Sequence, residues 1–199
     1  MNIIIPEDCS KIHILASGGV DSTLLLYLLS KQVTEQQSSI SIKIHTFEPP
    51  IGTSINLQSL QDIVSWMENR FSIKIAHRIV KKKMFIRRIV EDILLTEGGY
   101  VYSGCNKVLY DEFTPTIWIP GDTPPVRGEP FNKCHIRPFI NIDKSEIVQV
   151  FINENIMDLF HLTKSCGAAN KDGSPCGGCY FCMERDWAIQ KLGVLNGNV

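Results

Sequence analysis

The chain has almost no net charge, no long apolar run and no internal repeat. Its 20 Lys and Arg nearly balance 21 Asp and Glu, leaving a formal charge of -1. That balance gives no electrostatic footprint for an anionic membrane and argues against nucleic acid as a partner. No stretch reaches the ~18 consecutive apolar residues that a membrane-spanning helix needs. Met1-Asn2-Ile3-Ile4-Ile5-Pro6-Glu7-Asp8 lacks the basic start and apolar core of a secretory signal. A cytoplasmic protein is expected, and in a reducing compartment seven cysteines are not read as a disulfide framework. With 199 residues, 44% of them hydrophobic, the chain fits one globular domain, or one domain with a small appendage.

A further absence is informative. Ser17-Gly18-Gly19-Val20-Asp21-Ser22 joins the apolar run Ile12-His13-Ile14-Leu15-Ala16 to the helical run Thr23-Leu24-Leu25-Leu26-Tyr27-Leu28-Leu29, but it has no Walker lysine. An ordinary P-loop kinase or GTPase is thereby excluded. What remains is a strand, a tight glycine turn and a helix. Two glycines let backbone N–H groups approach a ligand, and the helix start favours an anion. Asp21 and Ser22 also suit an N-cap. All six residues resemble the SGGxDS pyrophosphate loop of the ATP pyrophosphatases, which cleave ATP between its α and β phosphates. That resemblance implies nucleotide contacts from Ala16 through Ser22, with Ser17, Asp21 and Ser22 in the chemistry. Asp21 is open to two roles, holding Mg²⁺ or capping the helix.

Strand-like and helix-like segments alternate along the chain. Strands are expected over residues 11–16, 40–47, 71–80 and 100–103, with helices over about 22–33, 57–67 and 85–95. The proline-rich stretch 111–135 reads as an extended loop over the cleft, with a short strand at 116–119. Asp143 and Glu146 have capping-box spacing, and Ile147, Val150, Phe151 and Ile156 give the following helix an apolar side. This alternation predicts an α/β fold with a doubly wound, mostly parallel sheet. Ligands of such sheets bind beyond the carboxyl ends of the strands. Residues 17–22, Phe47-Glu48-Pro49 and Ser103-Gly104-Cys105-Asn106 should therefore share one cleft, making Phe47, Gly104 and Asn106 candidate nucleotide contacts.

Cys166, Cys176, Cys179 and Cys182 are the second constellation. Four thiolates make a closed tetrahedral set for Zn²⁺, and Pro175, Gly177 and Gly178 provide the turns that bring them together. Such a site is structural, because no coordination position stays open for substrate. An iron–sulfur cluster is the competing reading of Cys-x2-Cys-x2-Cys, although the fourth cysteine lies upstream. The expected layout is a nucleotide-binding domain over 1–160, with a zinc-binding segment and its packed helix over 161–199.

The loop, Arg137-Pro138-Phe139, Asp143-Lys144-Ser145-Glu146-Ile147 and Thr163-Lys164-Ser165-Cys166 are together similar to the 7-cyano-7-deazaguanine (preQ0) synthase family of queuosine biosynthesis. So is Cys176-Gly177-Gly178-Cys179-x-x-Cys182-x-x-Arg185-x-x-Ala188. The resemblance implies an ATP- and Mg²⁺-dependent ligase with a structural zinc, commonly a homodimer. Its partners would be ammonia and a small 7-deazaguanine carboxylate, converted to the amide and then the nitrile. The chain departs from the family at 81–88 and 105–112, where substrate-contacting motifs are replaced.

Other groups are weighed beside these. Lys81, Lys82, Lys83, Arg87 and Arg88 read as a solvated face or as partners of triphosphate or a nucleic-acid backbone. Lys164 is placed to reach phosphate. His45, His77, His135 and His161 read as structural or surface residues. Two other function classes stay open: a tRNA-modifying thiolase, with Cys105 carrying persulfide rather than simply filling space, and a non-enzymatic nucleotide- or zinc-binding protein.

Overall fold

A computed structural model describes residues 1–47, 55–80, 86–109, 112, 116, 132–167, 170 and 174–194. All but Thr116 of the expected short strand at 116–119, the residues Glu48 and Pro49, the cations Lys81 to Lys83 and most of the 111–135 loop lie outside the described residues.

The chain runs β1 (Lys11–Leu15), α1 (Val20–Glu35), β2 (Ser41–Phe47), α2 (Ile55–Phe71), β3 (Ile75–Val80), α3 (Ile86–Thr96) and β4 (Tyr100–Ser103). It continues with β5 (His135–Ile136), α4 (Lys144–Asn153), α5 (Met157–Leu162) and α6 (Tyr180–Lys191). The strands form one sheet in the order β3-β2-β1-β4-β5, and every pairing is parallel. The expected α/β architecture is present. Strand order reverses direction between β1 and β4, so the crevice above their carboxyl ends is the topological switch point.

Alternation along the strands sorts side chains onto two faces. Ile12, Ile14, Ile42, Ile44 and Tyr102 join the main apolar core with residues of α1, α2, α4, α5 and α6. Leu15 and Val101 face the other way, against Ile89, Val90 and Ile93 of α3. Helix α1 is buried nearly all round from Val20 to Ser30, which is why its run of leucines shows no polar stripe. Ala188 and Ile189 of α6 belong to the main core, so the C-terminal helix is packed into the domain and lies against α4.

Two local expectations change, and a third is met. The third strand begins at Ile75 rather than residue 71, because α2 continues to Phe71 and the chain turns at Ser72 with φ of 54°. Ile156 is not on the helix that Asp143 caps; that helix ends at Asn153 and Ile156 caps α5. Asp143 does form the expected capping box, accepting from the Ser145 and Glu146 amides while its backbone N–H donates to the Glu146 carboxylate.

Candidate functional site

The loop of residues 17–22 follows β1 and lies at the switch point, as the alternation required. Gly18 has φ of +75°, a backbone shape that favours glycine. The loop is folded on its own hydroxyls. Ser22 Oγ accepts from the Ser17 amide at 3.2 Å and lies 3.3 Å from Ser17 Oγ, which accepts from the Gly19 amide at 3.3 Å. These bonds are at the long end of the hydrogen-bond range, so exchanging them for a phosphate costs little. Ser17 is exposed, whereas Ser22 is buried beneath it.

Of the two strand-end contacts expected beside the loop, Gly104 is the one shown to meet it. Gly104, just after β4, approaches the start of α1 so closely that a Cβ would sit 2.8 Å from the Asp21 carbonyl carbon and 2.9 Å from the Ser22 nitrogen. Phe47 ends β2 and packs toward the α3 face. Lys164 approaches through its backbone, its amide donating to the Gly18 carbonyl at 2.9 Å. Next to it, Ser165 Oγ accepts from the Val20 amide at 3.3 Å, satisfying one of the open donors at the α1 N-terminus.

Two sequence expectations are corrected here. The N-cap of α1 is Gly19, and no side chain caps the helix, so neither Asp21 nor Ser22 plays that part. Asp21 instead pairs with Lys144 at 2.5 Å. Asn106, expected to line the cleft, has no exposed surface, and its amide donates to Glu184 at 2.8 Å. The physical reason is one buried cation: Lys144 also meets Glu184 at 3.1 Å, and Tyr180 donates to the same carboxylate at 3.3 Å. Burial alone would push the Lys144 ammonium down, but the Asp21 and Glu184 carboxylates outweigh it and raise its pKa. Sequence reasoning placed Lys144 only within a family motif and missed Glu184 altogether. A capped helix starting with lysine gives no sign that the lysine turns inward.

Beyond Ser165 lies the cysteine cluster. The Sγ atoms of Cys166, Cys176, Cys179 and Cys182 all fall within 4.8 Å of one another. Four sulfurs around one tetrahedral zinc at ~2.3 Å would stand about 3.8 Å apart, so the set fits a single ion. A four-iron cube puts each cysteine on a separate corner and spreads the sulfurs farther. Amides of Cys176 and Cys179 donate to the sulfurs of Cys166 and Cys176, each at 3.3 Å. Burial raises the Cys176 thiol, yet hydrogen bonds from the Gly178 and Cys179 backbone bring it down to about 7. The Cys182 thiol of the same set shifts the other way, pushed up by its burial. Arg185, three residues past Cys182, donates to the Thr163 carbonyl and hydroxyl at 2.9 and 2.8 Å and stacks 4.3 Å over the Phe160 ring. It thereby fastens α6 to the strand of chain leading into Lys164, Ser165 and Cys166.

His13, His45 and Glu97 form a second group with metal-ligand spacing, with His13 Nδ1 3.0 Å from His45 Nε2. Lys43 and Arg78 already hold the Glu97 carboxylate at 2.7 and 3.2 Å. Two cations around one carboxylate oppose a dication, so this group reads as an ion-paired bracket beneath the sheet. Cys105 is half-buried at the end of β4, 3.8 Å from Ser103 Oγ. Arg87 is engaged by Glu91 one turn along α3.

Known proteins resemble this chain in sequence and in fold. Residues 102–193 match the family described as queuosine biosynthesis protein QueC. A 7-cyano-7-deazaguanine synthase of Cellvibrio japonicus is 36% identical over 69 residues, spanning 34% of this chain and 30% of that protein. A second, from Hydrogenovibrio crunogenus, is 23% identical over 226 aligned positions and covers 96% of both chains. Among solved structures, the U34-tRNA thiolase NcsA from Methanococcus maripaludis with its 4Fe–4S cluster superposes with a TM-score of 0.53 at 16% identity. That alignment covers 95% of this chain and 68% of the thiolase. An NMN synthetase from Francisella tularensis gives 0.50 at 13% identity, covering 96% and 80%. At such identities the two structures speak for the fold alone. The chain is thus similar to the 7-cyano-7-deazaguanine synthases, and the family match runs over a stretch that begins in β4 and takes in the buried lysine, the four cysteines and α6.

Proposed function

We propose that the protein is an ATP-dependent, AMP-forming ligase that acts on a 7-deazaguanine carboxylate. The observation that carries this reading is the glycine turn at the switch point, clamped by the QueC-like segment through Lys164 and Ser165. A carboxylate is a poor electrophile because its leaving group would be oxide. In the proposed first step a carboxylate oxygen attacks the α-phosphorus of ATP and pyrophosphate departs. Ammonia then attacks the acyl carbon, and AMP leaves with the original oxygen. A second round on the amide oxygen, followed by loss of AMP and protons, gives the nitrile.

The residues' task is mainly electrostatic, holding the leaving pyrophosphate and spreading its charge. Amides of Gly19 and Val20, the hydroxyls of Ser17 and Ser22, and the Lys164 ammonium are suited to it. Mg²⁺ would be held chiefly by phosphate oxygens, because the Asp21 carboxylate already serves Lys144. Zn²⁺ would be held by the four cysteines and would tie down a segment poor in apolar residues. The single-ion geometry of the sulfurs speaks against the iron–sulfur thiolase alternative, and the charge balance against a tRNA substrate. Among the described residues no helix is long and apolar enough to cross a membrane.

Incubation with ATP, Mg²⁺, ammonium and 7-carboxy-7-deazaguanine, read by mass spectrometry, tests this reading. A nitrile or amide product supports it. Absence of any nitrogen incorporation, with the protein folded and metal-loaded, would overturn the substrate.

A further inference from the structure

The loop is held from two directions, and both holds start beside a cysteine of the cluster. On one side Lys164 and Ser165, immediately before Cys166, grip Gly18 and Val20. On the other, Glu184, two residues past Cys182 on α6, pairs with Lys144, which pairs with Asp21 in the loop. Lys144 and Glu184 are nearly inaccessible to solvent, at 3% and 2% side-chain exposure. An ion pair so buried holds one geometry, because breaking it leaves an uncompensated charge. Gly104 closes the third side with backbone contact, so the loop cannot drift toward β4. No described contact of Ser165, Lys144 or Glu184 requires a metal, yet Ser165 and Glu184 lie on segments whose course the cysteines fix, and Lys144 pairs with Glu184.

We infer that the cysteine-bound metal and the nucleotide are thermodynamically coupled, with Ser165, Lys144 and Glu184 as positioning residues that transmit the metal's order to residues 17–22. The inference rests on the reading that this loop binds ATP. Metal binding fixes the paths into Cys166 and out of Cys182, which presets Ser165 and Glu184 and keeps the loop in its phosphate-ready shape. A preset loop loses less freedom on binding, so nucleotide affinity rises. Coupling of this kind is reciprocal, and a bound nucleotide must tighten the metal by the same factor.

The test uses the full chain loaded with zinc and α,β-methylene-ATP with Mg²⁺, an analogue that cannot be cleaved at the reacting bond. Zinc occupancy is measured in a chelator-buffered series with and without saturating analogue. The expected result is a drop of about 10-fold in the free zinc needed for half-loading. Glu184→Gln and Ser165→Ala should each reduce that shift, and together bring it below about 2-fold, the shift being read against each variant's own half-loading point without analogue. Ser165→Thr, which keeps the hydroxyl, should restore it. Coupling through global unfolding alone would survive both substitutions, so an undiminished shift in the double variant overturns the positioning role. An unmoved half-loading point, with the analogue demonstrably bound, overturns the coupling and leaves the ATP reading standing. Failure of the zinc-loaded protein to bind the analogue overturns both.

Discussion

At the residue scale, residues outside 17–22 hold that loop in place. Gly104 was read from sequence as a cleft residue because it follows a strand, and it does meet the loop, as backbone against backbone. Gly104→Ala would force the Asp21 and Ser22 backbone to move. Affinity for α,β-methylene-ATP should fall about 10-fold or more while Tm drops only a few degrees. An unchanged Kd in calorimetry would count against the close approach. Lys144→Met leaves Glu184 buried and unpaired, and should cost ~3–5 kcal/mol in urea unfolding. Glu184 and the inward turn of Lys144 were illegible in the sequence for one reason. Charged residues on helices are solvated by default, and nothing local marks those that pair through the core across 123 and 40 residues of chain.

Elements were more legible than contacts. Strong periodicity set out the strands and helices of the first hundred residues, and the Asp143 capping box announced the start of α4. The missed boundary at β3 has a physical cause. Phe71 and Ile73 alternate like strand residues, yet Phe71 packs with Tyr27 at 5.5 Å from the last turn of α2. The cap of α1 misled in the same way: Asp and Ser are good caps, but the glycine turn places them two and three residues past the cap at Gly19.

The strands also carry a pH signature. Burial lowers His45 on β2 and His135 on β5 from 6.5 to about 4. Both histidines fold neutral, so the unfolded chain binds more protons below pH 6.5. Their stability contribution is intact above pH 6.5 and is lost as pH falls toward 4, by roughly 3 kcal/mol each. Urea midpoints should therefore drop steeply between pH 6.5 and 4.5. His45→Gln should flatten that drop, and an equally steep fall in the variant would refute the assignment.

At the scale of the whole molecule, the sheet's switch point supplies the place and the C-terminal half supplies the grip. Cys179→Ser should remove most bound zinc and lower Tm by roughly 10 °C. Normal metal content with an unchanged Tm would refute a structural ion at the cysteines. The acceptor of the proposed adenylation was the least legible property of the sequence, because residues 81–88 and 105–112 carry no periodic or ligand-spacing signal of their own.

Adenylation itself can be followed by an oxygen label. With 7-carboxy-7-deazaguanine bearing ¹⁸O in its carboxylate, ATP, Mg²⁺ and ammonium, the account predicts one ¹⁸O in the AMP released, and Ser17→Ala should strongly slow its appearance. Release of ADP and phosphate, or of AMP without label, would contradict it.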